Sequence, residues 1–321
     1  MDSPSLPRRT RIYQNHHFDS TRWDYFATRP DDIVIATSYK AGTTWTQSIV
    51  AHLLFEDGLP APLAELSPWL DMRVFPLEVI LNGLAAQPHR RFIKTHLPLD
   101  GLPWDPERKF VYVARDGRDV FMSLWNHHSN FTDEALQIFN SVPGRVGDEL
   151  PRAPADLHAL WRDWVSRGWF AWESDGWPFW SHLYNVQSWW DFRHLPNILL
   201  VHYADLREDT EREVRRIARF LGIEVPEARW PALLKNVSLT SMREQGELYA
   251  PGGGQFWKGG AKTFLHQGTN GRWRDVLTPD ELAQYDAACA RTLTPDCRAW
   301  LEHGARALAR EKIEPGLESV P

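Results

Sequence analysis

One stretch of the sequence, residues 33–45 (IVIATSYKAGTTW), constrains the fold more than any other. Ile33 to Thr37 is short, apolar and rich in β-branched residues, as expected of a strand buried inside a sheet. From Thr43 the apolar residues recur at helical spacing as far as Leu54. A strand that enters a helix through a tight loop turns backbone N–H groups and the positive helix end toward one point. The stretch therefore predicts an anion-binding loop.

Side chains of the same loop supply further anion-binding groups. Lys40 adds a positive charge, and Thr43 and Thr44 add hydroxyl donors. The loop is not a Walker A loop, in which Gly directly precedes Lys and Ser or Thr directly follows it. Here Tyr39 precedes Lys40 and Ala41 follows it, so no hydroxyl is specified for Mg²⁺. An ordinary strand–turn–helix with an exposed lysine is the alternative.

Three later segments also predict buried strands, namely residues 91–95, 110–114 and 197–203. Strands that alternate with helical segments favour an α/β fold with a mostly parallel central sheet flanked by helices. Ligands of such sheets bind at the carboxyl ends of the strands. His96, Arg115 and Tyr203 lie at those ends. We predict one domain over residues 1–321 and make no prediction of the strand order.

Arg115 is followed by Ser123, eight residues later and two turns along the next helix. An arginine fork and a hydroxyl suit a second phosphate group, although the sequence RDGRD at 115–119 is also typical of a salt-bridged turn. His96 is one of 13 histidines, and by residue type alone a structural role is the simpler interpretation. Two anion-suited strand ends in one chain favour a functional site.

Three other segments predict parts of a ligand pocket. Residues 129 to about 155 are turn-rich, which favours a lid or insertion over about 129–175. Seven of the 20 glycines fall between Gly252 and Gly271, which indicates a mobile loop over about 250–274, with a disordered connector as the alternative. Trp69 and Phe75 lie in a proline-flanked loop and either cover an apolar pocket or fill the core. The same two alternatives apply to the eight tryptophans between Trp161 and Trp190.

Composition excludes several classes of protein. The formal charge of −6 argues against a general nucleic-acid surface, which needs a basic face. Cys289 and Cys297 form neither a disulfide framework nor a metal-binding spacing. No apolar run is long enough to span a membrane, and no signal-peptide core is present at the N-terminus. We expect a cytoplasmic protein without a metal, a membrane insertion or a nucleic-acid partner.

Together the segments resemble the cytosolic-type sulfotransferase family, which uses 3′-phosphoadenosine 5′-phosphosulfate (PAPS). The similarity extends from about Trp23 to Leu282. Its parts are the 5′-phosphosulfate loop at 39–45, the His-containing segment at 94–98, the 3′-phosphate strand and helix at 112–123, the adenine-contacting positions Tyr203 and 240–242, and the Gly-x-x-Gly-x-Trp signature at 268–273. The chain is especially similar to bacterial members, including mycobacterial glycolipid-type enzymes. The resemblance implies a P-loop-NTPase-like fold.

The resemblance also implies a role for each matched residue. His96 would be the general base, Lys40 would stabilise the leaving group, Lys94 would steady the sulfuryl group, and Ser123 would hold Lys40 until acceptor arrives. The matched segment places Lys94 and His96 at the acceptor, and the proline-flanked loop adds Trp69 and Phe75 as further acceptor contacts. PAPS, or its product 3′,5′-diphosphoadenosine (PAP), would contact Lys40, Ala41, Gly42, Thr43, Thr44, Trp45, Arg115, Ser123, Tyr203, Thr240, Met242, His266, Gln267, Gly268 and Arg272.

The chain departs from the family pattern at three places. Tyr39 replaces the proline that usually precedes the lysine. His266-Gln267 stands where the family usually has Arg-Lys at the 3′-phosphate. We expect Arg272 or Arg274 to replace the missing charge, with a cationic His266 as the alternative. The family dimer segment is degenerate at 277–279, so the sequence does not decide between a monomer and a homodimer.

Two other functions remain as alternatives at this point. A P-loop kinase would need a Gly-Lys-Ser/Thr loop and a metal-binding Asp at a strand end, and neither is evident. A nucleotide-binding protein without transferase activity is compatible with His266-Gln267. We expect a small hydroxyl acceptor with an aromatic, aliphatic or lipid-like body, because a chain with a charge of −6 does not predict a basic groove for an anionic polymer.

Overall fold

The computed structural model describes residues 6–305, so the predicted domain of 1–321 extends beyond the described part at both ends. Four parallel strands form the central sheet in the order β2-β1-β3-β4. They are β1 (Ile33–Thr37), β2 (Phe92–Thr95), β3 (Lys109–Ala114) and β4 (Ile198–His202). The predicted parallel α/β sheet is confirmed, and each predicted strand lies within one residue of the observed bounds.

Helices cover both faces of the sheet. In chain order they are α1 (Thr43–Leu54), α2 (Leu63–Leu66), α3 (Leu77–Ala86), α4 (Gly117–Ser129), α5 (Asp133–Ser141), α6 (Leu157–Ser166), α7 (His182–Trp190), α8 (Tyr203–Glu208), α9 (Thr210–Leu221), α10 (Trp230–Asn236), α11 (Leu239–Glu244), α12 (Gly246–Tyr249), α13 (Ala261–Phe264), α14 (Pro279–Thr292) and α15 (Pro295–His303). Short 3-10 helices occur at Ser20–Tyr25, Leu99–Gly101, Glu227–Arg229, Pro251–Gly254 and Arg272–Asp275. Within residues 6–305, none of these helices has the length and apolarity that a bilayer crossing requires.

The strands alternate their side chains between two hydrophobic cores. Val34 and Tyr112 point into a core shared with α4, α6 and α7, which holds most of the buried tryptophans. Ile35 and Val111 point into a second core shared with α1, α9 and α10. Burial on both faces explains why the strands are nearly continuous apolar runs in the sequence.

The expected irregular structure at 129–155 is wrong for part of that range, because α5 occupies Asp133–Ser141. Thr132 caps this helix by accepting a hydrogen bond from the backbone N–H of Ala135. Leu136 and Phe139 are buried on one face of it. The cap and this apolar spacing were visible in the sequence but were outweighed by the turn-forming residues around them.

The glycine-rich segment 250–274 packs against the end of α4. The backbone N–H of Thr132 donates to the carbonyl of Phe256 at 3.0 Å, and that of Lys258 donates to Asn130 at 2.8 Å. Trp257 is buried in this contact. The segment therefore lies beside the carboxyl edge of the sheet, where the loops after all four strands also meet.

Candidate active site

The loop after β1 has an uncommon backbone conformation at two residues, Lys40 and Gly42. Gly42 lies at φ 118°, and a Cβ there would approach Tyr203 Cδ2 to 2.8 Å. Lys40 is at φ 58°, a left-handed conformation that non-glycine residues rarely adopt outside functional sites. Gly42 directly precedes α1, so the helix begins at the loop. The strand–turn–helix with a close backbone approach is therefore present, and anion binding by this loop stays a prediction.

The Lys40 ammonium lies among aromatic and basic side chains. Its Nζ is 3.1 Å from His127 Nδ1 and 4.9 Å from the ring centroid of Phe264. Burial first, and then the nearby charges of Lys94 and Arg115, together lower the pKa of Lys40 to about 7. An anion bound beside Lys40 would favour the charged form.

His96 follows β2 and is oriented by β1. Its Nδ1 lies 3.0 Å from both the carbonyl oxygen and the hydroxyl of Thr37, so Nδ1–H donates and Nε2 carries the lone pair. Nε2 has no partner among the described residues and is not an enclosed atom, so it opens on the cavity that His96 lines. The pKa of His96 lies well below its usual value, first because of burial and second because of the charge of Lys94. His96 is thus a neutral base.

Lys94 is the second ammonium on this side of the cavity. Lys94 lies in β2, where it pairs with Ile35 of β1. Its Nζ lies 4.6 Å from the Trp69 ring centroid. Burial lowers the pKa of Lys94 to about 8, while the Asp71 carboxylate opposes that shift. Two ammonium groups and a neutral imidazole therefore line one cavity.

Arg115, after β3, is held by the segment at 268–271. Its Nη2 donates to the carbonyl of Thr269 at 2.8 Å, and its Nε donates to Asn270 Oδ1 at 3.1 Å. The guanidinium lies 4.3 Å from the ring centroid of Tyr203. The hydroxyl of Thr269 is buried and has no hydrogen-bond partner among residues 6–305. A polar group left unpaired beside an arginine is suited to a bound anion.

Arg272 and Arg274, the two arginines that the sequence proposes for the 3′-phosphate, have different surroundings. Arg272 lines the cavity, and its Nη1 lies 3.1 Å from His266 Nδ1. Arg274 is exposed, stacks 4.9 Å from the Trp273 ring centroid and does not line the cavity. Burial lowers the pKa of His266, and the charge of Arg272 lowers it further. Arg272 is the better placed cation.

A cavity of about 1600 Å³ joins these groups. It is larger than a single small-ligand pocket, which is typically a few hundred to about 1000 Å³. The predicted site residues on its wall are Lys40, Gly42, Thr43, Thr44, Trp45, Trp69, Phe75, Lys94, His96, Arg115, Ser123, Tyr203, Met242, His266, Gln267, Gly268 and Arg272. The side chains of Ala41 and Thr240 are not on the wall, and Thr240 is exposed. Within residues 6–305, no three His, Cys, Asp or Glu side chains are grouped as metal ligands.

The far end of the cavity is aromatic. Trp69 packs edge-on against His96 with ring centroids 4.7 Å apart, and Phe75 is half exposed at the mouth. Of the eight tryptophans between Trp161 and Trp190, Trp180 lines the cavity. The fully buried members, Trp161, Trp164, Trp180, Trp189 and Trp190, belong to the core. The core interpretation therefore holds for five of the eight tryptophans, and Trp180 meets both interpretations.

Hydrogen bonds behind the loops join the first and third strand ends. Ser38 Oγ lies 2.6 Å from His182 Nδ1, and His182 Nε2–H donates to the carbonyl of Arg115 at 3.1 Å. Tyr39 accepts a hydrogen bond from Trp164 Nε1 at 2.5 Å. His182 and His127 were missed from the sequence, since a histidine within a helix carries no local signal of such a contact.

The sequence and the fold of this chain are similar to those of known sulfotransferases. A model of the sulfotransferase domain matches residues 30–296. The glycolipid sulfotransferase of Mycobacterium bovis is 33% identical over 310 residues, which is 92% of this chain and 95% of that protein. Sulfotransferase 1A1 of Rattus norvegicus is 28% identical, covering 85% of this chain and 87% of its own length. The crystal structure of mouse sulfotransferase SULT7A1 complexed with PAP has a similar fold, with a TM-score of 0.64 at 18% identity over 91% of this chain and 93% of that one.

Proposed function

The chain belongs to the sulfotransferase family, and from that premise we propose that it transfers a sulfuryl group from PAPS to the hydroxyl of a small aromatic, aliphatic or lipid-like acceptor. The observation that carries the proposal is the placement of His96 Nε2 and Lys40 Nζ on one cavity. A base for the acceptor and a cation for the leaving group are the two requirements of this transfer.

His96 would take the proton from the acceptor hydroxyl. Its Nδ1–H is engaged by Thr37, and its low pKa keeps Nε2 unprotonated at neutral pH. Trp69 and Trp180 pack beside the ring, with Trp180 at 5.8 Å between centroids, and restrict its rotation. A base fixed in one tautomer and orientation contributes typically 10²–10⁴-fold to rate.

Lys40 would stabilise charge on the departing phosphate oxygen, and Lys94 would contact the group in transfer. When bound, PAPS supplies the sulfuryl group, whose bond to the 5′-phosphate oxygen breaks as its bond to the acceptor oxygen forms. The proton released from that oxygen goes to His96. Both ammonium groups act in a volume where burial strengthens electrostatic interactions.

The residues around the nucleotide end fit such a molecule. Trp45 and Tyr203 lie with ring centroids 5.4 Å apart at the cavity wall, where an adenine base can pack. Arg115 and Arg272 supply cations for a 3′-phosphate. A Cβ on Gly268 would come within 2.6 Å of Leu239 Cδ2, so the backbone is bare at this position. This arrangement supports PAPS and its product PAP as the nucleotides.

The aromatic end supports an apolar acceptor body. Phe131, Phe139 and Trp257 line the cavity together with Trp69 and Trp180. At the mouth Phe75, Val79 and Ile138 are exposed by 50%, 65% and 36%. Exposed apolar side chains around a pocket mark a binding surface for apolar matter. Aliphatic or lipid-like bodies longer than the pocket could therefore continue across the rim.

The test incubates the full chain with labelled PAPS and a panel of phenols, simple alcohols, steroids and lipids. His96→Ala should reduce turnover by more than about a hundredfold and leave PAP affinity within a few-fold. His158→Ala is the control, since His158 lies on α6 outside the cavity. If wild-type protein binds PAP but sulfates nothing, a nucleotide-binding protein without transferase activity is the better interpretation. Turnover in His96→Ala within a few-fold of wild type would contradict the assigned base.

A further inference from the structure

Ser123 and His127 lie on the same face of α4, four residues apart, and both line the cavity. The Lys40 ammonium is bonded to His127 and not to Ser123, for which the described chain shows no hydrogen bond. His127 also contacts the aromatic end, with ring centroids 4.9 Å from Phe131 and 5.0 Å from Trp257. It therefore stands between the lysine and the acceptor end.

The contact fixes the tautomer of His127. An ammonium has three donors and no acceptor, so Nδ1 must accept from Lys40. The pKa of His127 lies well below its usual value because of burial first and the charge of Lys40 second. A neutral imidazole that accepts at Nδ1 carries its proton on Nε2. Nε2 has no partner within residues 6–305 and is not among the enclosed polar atoms, so this N–H is reachable from the cavity.

We propose that His127 is a positioning residue with two contacts: Nδ1 holds the Lys40 ammonium, and Nε2–H binds an oxygen of the acceptor other than the reacting hydroxyl. Only the Nε2–H contact with the acceptor rests on the proposed function, and the Nδ1 contact with Lys40 does not. His96 and His127 then have opposite tautomers on one cavity. One presents a lone pair to the reacting hydroxyl, and the other presents a donor to a second acceptor oxygen.

The charged and titratable groups that face this pair come from several elements. Lys94 of β2 and Arg115 after β3 are cations that disfavour charge on Lys40. His17 of the N-terminal segment, His128 of α4 and His96 after β2 are neutral, because burial lowers the pKa of each. Among these neighbours no carboxylate offsets the charge of Lys40, so its hydrogen bond to His127 is the favourable polar contact that the structure gives the ammonium.

The first experiment follows proton uptake when PAP binds, by calorimetry from pH 6 to 9 in buffers of different ionisation enthalpy. His127→Phe keeps the ring volume but removes both nitrogens, so the pKa of free Lys40 should fall and the uptake midpoint should move down by about one pH unit, the scale of a lost charged hydrogen bond. His127→Asn can still accept from Lys40 and should restore the wild-type midpoint. Thermal melting verifies that each variant is folded. An unchanged midpoint in His127→Phe overturns the Lys40 contact.

The second experiment compares matched acceptors, the three methoxyphenols and the three ethylphenols, which differ by an ether oxygen. Wild type should favour at least one methoxy isomer several-fold in kcat/KM, the range of a neutral hydrogen bond. His127→Phe and His127→Asn should lose that preference, whereas His127→Gln, with an amide near the Nε2 position, should keep part of it. A preference unchanged in His127→Phe, or none in an active wild type, overturns the Nε2 contact. If the wild type transfers neither to these phenols nor to the alcohols, steroids and lipids of the wider panel while the calorimetric shift is present, the proposed function fails and the Lys40 contact stands.

Discussion

Lys40 combines a left-handed backbone with a strongly lowered side-chain pKa. Its φ of 58° turns the residue out of the strand direction, and burial beside Lys94 and Arg115 brings its pKa to about 7. Strain at a single residue costs on the order of 1–3 kcal/mol and persists where the surroundings fix it. Here the surroundings are the start of α1, the His127 ring and the Phe264 ring.

Nucleotide affinity should therefore depend on pH through Lys40. A bound anion raises the pKa of the lysine above 7, so the protein takes up a proton when the nucleotide binds at higher pH. Affinity for PAP should already be falling at pH 7, where about half of the free protein has a neutral Lys40 and the phosphates are largely ionised, and should weaken by up to about tenfold per pH unit above it. Titration calorimetry with Lys40→Ala as control checks this, since the variant should show a flat profile until Lys94 titrates near pH 8.

The two arginines of the late signature offer a matched pair for the 3′-phosphate. Arg272 lines the cavity and Arg274 faces solvent. Arg272→Ala should reduce the preference for PAP over 5′-AMP by about tenfold or more, since a charged hydrogen bond contributes on the order of 1.5–3 kcal/mol. Arg274→Ala should leave the preference unchanged. Competition binding of both nucleotides measures it, and equal behaviour of the two variants would remove Arg272 from the site.

At the scale of elements, the loop between β1 and α1 depends on the absence of a side chain at Gly42. Alanine there would meet Tyr203 at 2.8 Å and would need φ near 118°. Gly42→Ala should destabilise the protein by about 1–3 kcal/mol and abolish measurable PAP binding. Gly222→Ala is the control, because Gly222 ends α9 at φ 66° with open space around its Cα.

The control variant should lose about 1 kcal/mol of stability and keep PAP affinity, since its cost is purely conformational. Chemical denaturation and calorimetry separate the two effects. Retained PAP binding in Gly42→Ala would mean that the loop tolerates a wider backbone than the close contact with Tyr203 indicates.

Sequence patterns predicted the helices and strands better than they predicted which elements and side chains lie next to each other. β1 was placed correctly because a buried parallel strand is apolar on both faces, and α1 because its apolar residues follow a 3.6-residue period. Which strands lie side by side depends on pairings between distant segments, which no local pattern encodes. The residues at the strand ends were predicted through motif spacing. His127 was not, because its partner Lys40 lies 87 positions away.

At the scale of the whole molecule, the proposed function assigns both substrates to one continuous cavity. The described residues place no thiol in it, since Cys289 and Cys297 are buried in the core. Direct transfer between two bound molecules should give sequential kinetics, with intersecting double-reciprocal lines when PAPS and acceptor are both varied. A set of parallel lines would indicate a sulfated enzyme intermediate and would contradict direct transfer.

The aromatic walls have an optical consequence. Trp45 lies at the nucleotide end, Trp69 and Trp180 lie beside His96, and Trp257 lies beside His127. Indole emission is sensitive to the charge and polarity of what lies against the ring, so each stage of the reaction changes the surroundings of a different fluorophore. Rings such as Trp69 and Trp180, with centroids 6.2 Å apart, also exchange excitation. The protein thus carries emitters along its cavity, and binding of the proposed nucleotide and acceptor should be readable from unlabelled protein.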